Sequence, residues 1–306
     1  MAGQGVLLIN SYLKGLKLLT ALDKSKTKCI AWDTDKEQKP FTCPQCEDEV
    51  ILKKGIKKVH HFAHKPPVNC NFGAGESQKH YEVKKAIYEA LLKEENCSKC
   101  ELERTKLEGV RPDISLKIND SYVAIEIQNS TIDIALINQR IERYNKLDIH
   151  LIWILPDNNP TIVLPDSKDE KIDKKLWRPK EWEKYLHKLY FGKLYYWQDN
   201  ANVKPLHLQT YQYETASGNW IEDNDDLQEL EGTNWYNDNI DEAYYGGNTK
   251  YSKTKKEFIF PKLNGKDLIL NIAKDFKSTE VKQSTFKGAS TPYRKLWIDT
   301  IKPWWK

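Results

Sequence analysis

The chain has 306 residues, 39% hydrophobic and 30% charged, with 10 Trp, 16 Tyr and 8 Phe. That is too apolar and aromatic for a disordered chain and too charged for a membrane protein. No run approaches the roughly 18 apolar residues of a spanning helix. Residues 6–9 are too short for a secretory h-region and follow no basic residue, so a soluble cytoplasmic protein with no membrane partner is expected.

In chain order, the first twenty residues mix small and apolar types, and residues 1–17 carry no assigned role. From Cys29 onward the pattern predicts short strands over 29–33, 50–53 and 59–63. Gly73 and Gly75 punctuate the chain, and 76–95 reads as a helix with Val83, Ile87, Ala90 and Leu91 on one face. Strands follow over 101–107, 113–118 and 122–128, with Ile114, Leu116 and Ile118 sharing one face and Val123, Ile125 and Ile127 another. A helix over 132–147 and a nearly continuous apolar strand over 150–155 complete a helix, three strands, helix, strand unit. Beyond Pro156 the pattern predicts helical stretches over 177–196, an aromatic strand over 189–197 and small elements near 258–261, 268–272 and 297–305. These signals divide the chain into an N-terminal segment over 1–72, a core over 73–156 and a C-terminal region over 157–306. The fold class is α/β, with a β-rich N-terminal module.

The net charge of +4 is unevenly spread. No Lys or Arg lies between Lys204 and Lys250, and an acidic insertion covers about 214–249. From Lys250 onward fourteen Lys/Arg face five Asp/Glu. This asymmetry suits a basic surface for a polyanion, or equally a solvated acidic loop beside a lysine-rich face.

Six cysteines in a reducing compartment read as ligands or core thiols rather than disulfides. Cys43 and Cys46 form a Cys-x2-Cys knuckle, followed by His61, His64 and Cys70. The expected zinc ligands are Cys43, Cys46, His64 and Cys70, with His61 as the substitute. Four protein ligands leave no open position for a catalytic water, which marks the site as structural. Lys57 and Lys58 belong to a lysine-rich hairpin suited to phosphate. Cys97 and Cys100 lack a nearby second pair and read as core or surface thiols.

Arg111-Pro112-Asp113 opens one strand, and Glu126-Ile127-Gln128 ends the next. Glu126 and Gln128 lie two apart and so share a face, opposite Val123, Ile125 and Ile127. With Asp113 beside Glu126 across the hairpin, the two carboxylates can hold a hard divalent cation. Arg140 and Tyr144, four apart on the following helix, face either phosphate or an exposed salt-bridged surface. The tryptophans after Leu176 are better read as core than as base-stacking platforms.

An acid on one strand and acid-x-residue on the next resembles the PD-(D/E)xK nuclease superfamily. The order Phe41–Cys46, His61–His64, Glu76–His80, Arg111–Asp113 and Glu126–Ser130 is similar to the competence protein CoiA family. The likeness runs from about Leu18 to the strand holding Trp153, with a looser echo over 189–208. It implies a zinc-ribbon-like module ahead of a restriction-endonuclease-like core. It further implies Asp113 and Glu126 as ligands to Mg²⁺ or Mn²⁺, Gln128 in the place of the motif lysine, and Glu76 as the acid on the first helix. His80 and Lys84 follow at four-residue steps and can reach that site, with Lys84 or Arg111 supplying positive charge. Arg111 and Arg140 are the expected nucleic-acid contacts in the core. The implied activity is metal-dependent DNA hydrolysis in DNA uptake, recombination or defence, with DNA as partner. Cutting both strands favours a homodimer or a protein partner in a DNA-processing complex. Gln128 cannot act as a charged group, so a non-catalytic nucleic-acid-binding protein with a degenerate core is the alternative.

Overall fold

A computed structural model describes residues 17–56, 58–66, 70, 76–105, 107–156, 179–218, 251–263, 268–286 and 289–302. Residues 1–16, Lys57 and residues 219–249 of the acidic stretch lie outside the described residues.

The N-terminal module is a five-stranded sheet of β1 (Thr20–Leu22), β2 (Lys28–Ile30), β3 (Phe41–Thr42), β4 (Glu49–Lys53) and β5 (His61–His64), in the order β2-β1-β3-β4-β5. Alternation along β4 turns Val50 and Leu52 inward and leaves its other residues exposed. They join Leu18, Ala21, Ala31, Phe41 and Phe62 in a small core that also contains Cys43 and Cys70. The Phe41 and Phe62 rings meet at 5.1 Å. The strands expected over 29–33, 50–53 and 59–63 correspond to β2, β4 and β5 within three residues. β1 and β3 were not expected, because two- and three-residue strands carry too little alternation to read.

The core runs α1 (Gln78–Leu91), β6 (Cys97–Leu102), β7 (Ile114–Ile118), β8 (Ser121–Ile127), α2 (Ile134–Lys146) and β9 (His150–Leu155). This is the helix, three strands, helix, strand order of the sequence pattern. Ser77 caps α1, its hydroxyl accepting from the His80 N–H at 3.1 Å. Asp133 caps α2, accepting from the Ala135 N–H at 2.8 Å. Strands β6, β7 and β8 pair antiparallel, and α2 returns the chain so that β9 lies parallel to β8. The first strand is displaced from the expected 101–107. Lys99 takes a left-handed φ of 51°, and the register shifts between Ser98 and Glu101, which breaks the alternation a strand would show.

The C-terminal residues add to the same sheet. After α3 (Glu181–Leu189), β10 (Leu194–Asp199) pairs parallel with the end of β9, Tyr195 opposite Ile154. β11 (Asn202–Gly218) pairs antiparallel with β10. Beyond it lie β12 (Tyr251–Leu263), β13 (Leu270–Asn271), β14 (Lys277–Val281), the hairpin β15 (Ser284–Phe286) and β16 (Ala289–Thr291), and β17 (Arg294–Ile298). β17 pairs parallel with the start of β9, Leu296 opposite Leu151. The aromatic run over 189–197 thus divides between the end of α3 and β10. A second compact unit comprises Thr161–Pro179 and Leu208–Lys262, and within it β12 lies beside the outer length of β11. Among the described residues no helix is long and apolar enough to cross a membrane.

Phe62 is fully buried at the centre of the module. Phe62→Ala is expected to destabilise the protein by about 3–5 kcal/mol, read by urea unfolding.

Candidate functional site

Two groups of metal-ligating side chains occur among the described residues. The first is Cys43, Cys46, His64 and Cys70, whose ligand atoms all lie within 4.8 Å of one another. The turn after β3 presents both thiols of the knuckle. The Cys43 N–H bonds the Asp48 carbonyl at 2.9 Å, and Glu47 takes a left-handed φ of 63°. β5 pairs with β4 and brings His64 alongside, its Nε2 3.3 Å from the Cys46 Sγ. The Sγ atoms of Cys43 and Cys70 are 4.0 Å apart. A tetrahedral zinc with ordinary bond lengths sets two sulfurs about 3.8 Å apart and a sulfur and nitrogen about 3.5 Å apart. The Cys3His group therefore fits a structural zinc. His61 stands outside the group, with its Nδ1 2.9 Å from the Val59 carbonyl. Burial raises the Cys43 thiol and pushes Cys46 up to about 12, so metal binding must displace protons. Cys43→Ser is expected to cost the protein its zinc and lower its melting temperature, read by metal content and thermal unfolding.

The second group is Glu76, His80 and Asp113. It is organised around Lys84, whose side chain is wholly buried on α1. The Lys84 Nζ lies 2.9 Å from Glu76 Oε2, 3.1 Å from Glu103 Oε1 and 2.8 Å from Asp113 Oδ1. Asp113 is held by its backbone neighbours as well, since Oδ2 accepts from the Ile127 N–H at 2.8 Å. One turn before Lys84, His80 sets its Nε2 3.1 Å from Asp113 Oδ1. That Nε2 is buried and makes no hydrogen bond of acceptable geometry. Burial would raise the Asp113 carboxyl, but His80 and Lys84 outweigh it and hold the group well below the usual range. Three carboxylates surround one ammonium, with the Arg111 guanidinium 3.9 Å from Glu76 as the next cation. Two carboxylates and an imidazole nitrogen, their ligand atoms all within 4.8 Å of one another, could hold a divalent cation.

Glu126 is placed differently from the expectation that it shares a cation with Asp113. Ile114 pairs with Ile125, so Asp113 and Glu126 are cross-strand neighbours at the end of the β7–β8 ladder. The Glu126 carboxylate, however, accepts from Arg140 at 2.8 Å and from the Tyr144 hydroxyl at 2.5 Å. It lies outside the Glu76, His80, Asp113 group. Burial raises its pKa, and Arg140 only partly offsets that rise. Tyr144 is buried and bonded to Glu126, so it faces neither phosphate nor an exposed salt-bridged surface, the two placements expected. Gln128 turns its amide to the Ser130 carbonyl at 2.7 Å. Lys84 has no exposed surface and so sits beneath the acids rather than beside an approaching phosphate. Arg111 keeps 30% of its side chain exposed and Arg140 33%. Lys58 is exposed on the loop before β5. Cys97 and Cys100 lie in β6, where burial pushes their thiols up to about 11 and about 12.

Sequence reasoning missed Glu103 and Thr20. Glu103 is buried at a left-handed φ of 46°, bonded to Lys84 and to the Thr20 hydroxyl at 2.8 Å. In the run Glu101-Leu102-Glu103-Arg104 nothing separates it from a surface charge.

The fold and these sites define an α/β protein with a Cys3His module ahead of a nuclease-like domain. Residues 23–73 match the family described as competence protein CoiA, N-terminal domain. Residues 76–175 match that described as competence protein CoiA, nuclease-like domain. The competence protein CoiA of Bacillus subtilis (strain 168) is 31% identical over 120 residues, or 39% of this chain. That match spans 32% of the relative's own length. No solved structure matches significantly. The chain belongs to the competence protein CoiA family.

Lys84→Met leaves three acids around a neutral side chain and is expected to cost about 3–5 kcal/mol near neutral pH. Asp113 titrates below its unfolded value of about 3.9, so its stabilisation is complete above that pH and is lost as pH falls through the lower folded value. The gap between parent and variant in urea unfolding is therefore expected to narrow below about pH 4.

Proposed function

We propose that the chain is a metal-dependent DNA nuclease of the PD-(D/E)xK type, acting in DNA uptake, recombination or defence against foreign DNA. The observation that carries this reading is the convergence of Glu76, His80 and Asp113 around a buried Lys84 at the head of the β7–β8 hairpin. Glu76, Asp113 and His80 would hold the Mg²⁺ or Mn²⁺ ion. When bound, such an ion would polarise the phosphoryl oxygen and lower the pKa of a water. Imidazole is a softer donor than water or carboxylate, which favours Mn²⁺ over Mg²⁺ in this group.

The protein's own part is positioning and charge. Lys84 fixes the Glu76 and Asp113 carboxylates from below, and the Ile127 N–H fixes the second Asp113 oxygen. Arg111 is the exposed cation nearest Glu76 and stabilises charge on the phosphate being cut. Glu126 acts through Arg140, holding that guanidinium at the edge of the site. Gln128 orients by hydrogen bonding rather than by charge. DNA is the expected partner, with a second copy of the chain or a processing partner where both strands are cut.

A second reading, a non-catalytic nucleic-acid-binding protein, draws on one specific observation. Glu126 is sealed by Arg140 and Tyr144, and the Gln128 amide turns to Ser130 instead of the site.

The two readings separate on labelled linear, single-stranded, branched and plasmid DNA titrated with Mg²⁺ and Mn²⁺. Nuclease activity predicts cleavage at lower Mn²⁺ than Mg²⁺, lost by at least a hundredfold in Asp113→Asn with DNA binding retained. Binding without cleavage under either metal would select the second reading.

A further inference from the structure

A cavity of about 310 Å³ opens where the zinc knuckle, the loop before Asp113 and α2 meet. Its lining is Gln45, residues 109–111 and one face of α2 formed by Leu136, Gln139, Arg140 and Arg143. The spacing of those four positions, three, one and three residues, is that of a single helix face. Among the described residues three guanidinium groups and two amides line it, and no carboxylate does. The acids that answer two of these arginines, Glu76 and Glu126, are not among the lining residues. A guanidinium carries five donors in a planar fork, more than the bonds from Arg140 to Glu126 and from Arg143 to the Gly109 carbonyl consume.

The wall is shaped for Arg143. Gly109 takes a φ of +73°, and a Cβ there would stand 3.0 Å from the Arg143 guanidinium carbon. A side chain there would strain the left-handed backbone and require the Arg143 guanidinium to give by a few tenths of an ångström. Leu136 is 40% exposed beside the arginines, which adds an apolar surface next to the charged one. Arginine forks with a small apolar neighbour suit a phosphate carrying a sugar or base better than a bare inorganic anion.

We infer that this cavity anchors a phosphate of the nucleic-acid strand next to the one cut, with the zinc knuckle as one wall. The inference rests on the nuclease reading for its choice of ligand. Arg111 and Arg140 make the cavity continuous with the Asp113 centre, because each also reaches an acid of that region. Gln45 lies between the two knuckle cysteines, so the zinc module contributes directly to substrate binding as well as to folding.

The test uses the full-length protein without added Mg²⁺ or Mn²⁺ and a fluorescent single-stranded oligodeoxynucleotide, with anisotropy read over a salt series. Gln139 is exposed on α2, so changing its charge leaves the packing alone. Gln139→Glu is expected to weaken binding several-fold and Gln139→Lys to strengthen it. Arg143→Gln is expected to flatten the slope of log affinity against log salt by about one. Parent-like affinity and slope in all three variants would overturn the inference. Shifts of opposite sign at Gln139, in a protein that cleaves nothing with either metal, would keep the cavity and remove the nuclease. Cleavage by the parent with no shift in any variant would keep the nuclease and remove the cavity.

Discussion

Burying one ammonium among three carboxylates constrains nearly everything around the candidate site. Lys84 has no exposed surface, and its desolvation is offset only because Glu76, Glu103 and Asp113 all lie within 3.1 Å. These acids come from the approach to α1, the end of β6 and the start of β7. Their meeting point therefore sets how the helix lies against the sheet edge. Against Lys84 and Arg111 alone the three carboxylates are in excess, and His80, 3.1 Å from Asp113, balances them only when protonated. A purely structural ion pair has no need of that excess. The excess is directed, since the oxygens on the Asp113 and Glu76 side converge with the buried His80 nitrogen. Glu103 serves the opposite side, where Thr20 takes its second oxygen.

That same contact joins the two halves of the protein. Thr20 belongs to β1 of the N-terminal sheet, so the buried charge network extends from the zinc module into the core. The Tyr81 hydroxyl donates to the Lys17 carbonyl at 2.5 Å, and the Lys28 ammonium meets Glu101 at 2.8 Å. A module with so few buried side chains has little stability of its own, and a metal that holds its knuckle also holds these contacts. The Cys3His module and the candidate catalytic acids are thus joined by a continuous set of contacts, although they share no ligand.

The parts legible in the sequence are those set by short-range pattern. The 3.6-residue spacing of Val83, Ile87 and Leu91 gives α1, and the apolar run from Leu151 to Leu155 gives β9. The Cys-x2-Cys spacing followed by His64 and Cys70 marks the knuckle, a context that Cys97 and Cys100 lack. What was not legible depends on pairings distant in the chain. β17 reaches β9 across more than a hundred residues, and nothing local to Leu296 announces Leu151 as its partner. Glu103 is buried because a left-handed residue turns the chain back on itself, and Glu101-Leu102-Glu103-Arg104 offers no hint of which acid goes inside. The orientation of Arg140 and Tyr144 toward Glu126 depends on how α2 rotates over the sheet, which four-residue spacing leaves open.

The departure at Gln128 takes a specific physical form once these positions are known. In the motif that the chain resembles, the lysine follows the second acid by two residues on the same strand face. Here that position holds an amide turned to Ser130, while the buried lysine comes from α1 and contacts the first acid instead. The charge of the missing lysine is thus restored near Asp113, but at a place from which it cannot touch a substrate. Under the proposed function contact falls to Arg111 and Arg140, which keep about a third of their surface and line the same cavity. Electrostatic support for the acids and electrostatic contact with a phosphate are therefore divided between different residues. Such a division leaves the second acid, Glu126, free to serve as a partner for Arg140 rather than as a metal ligand.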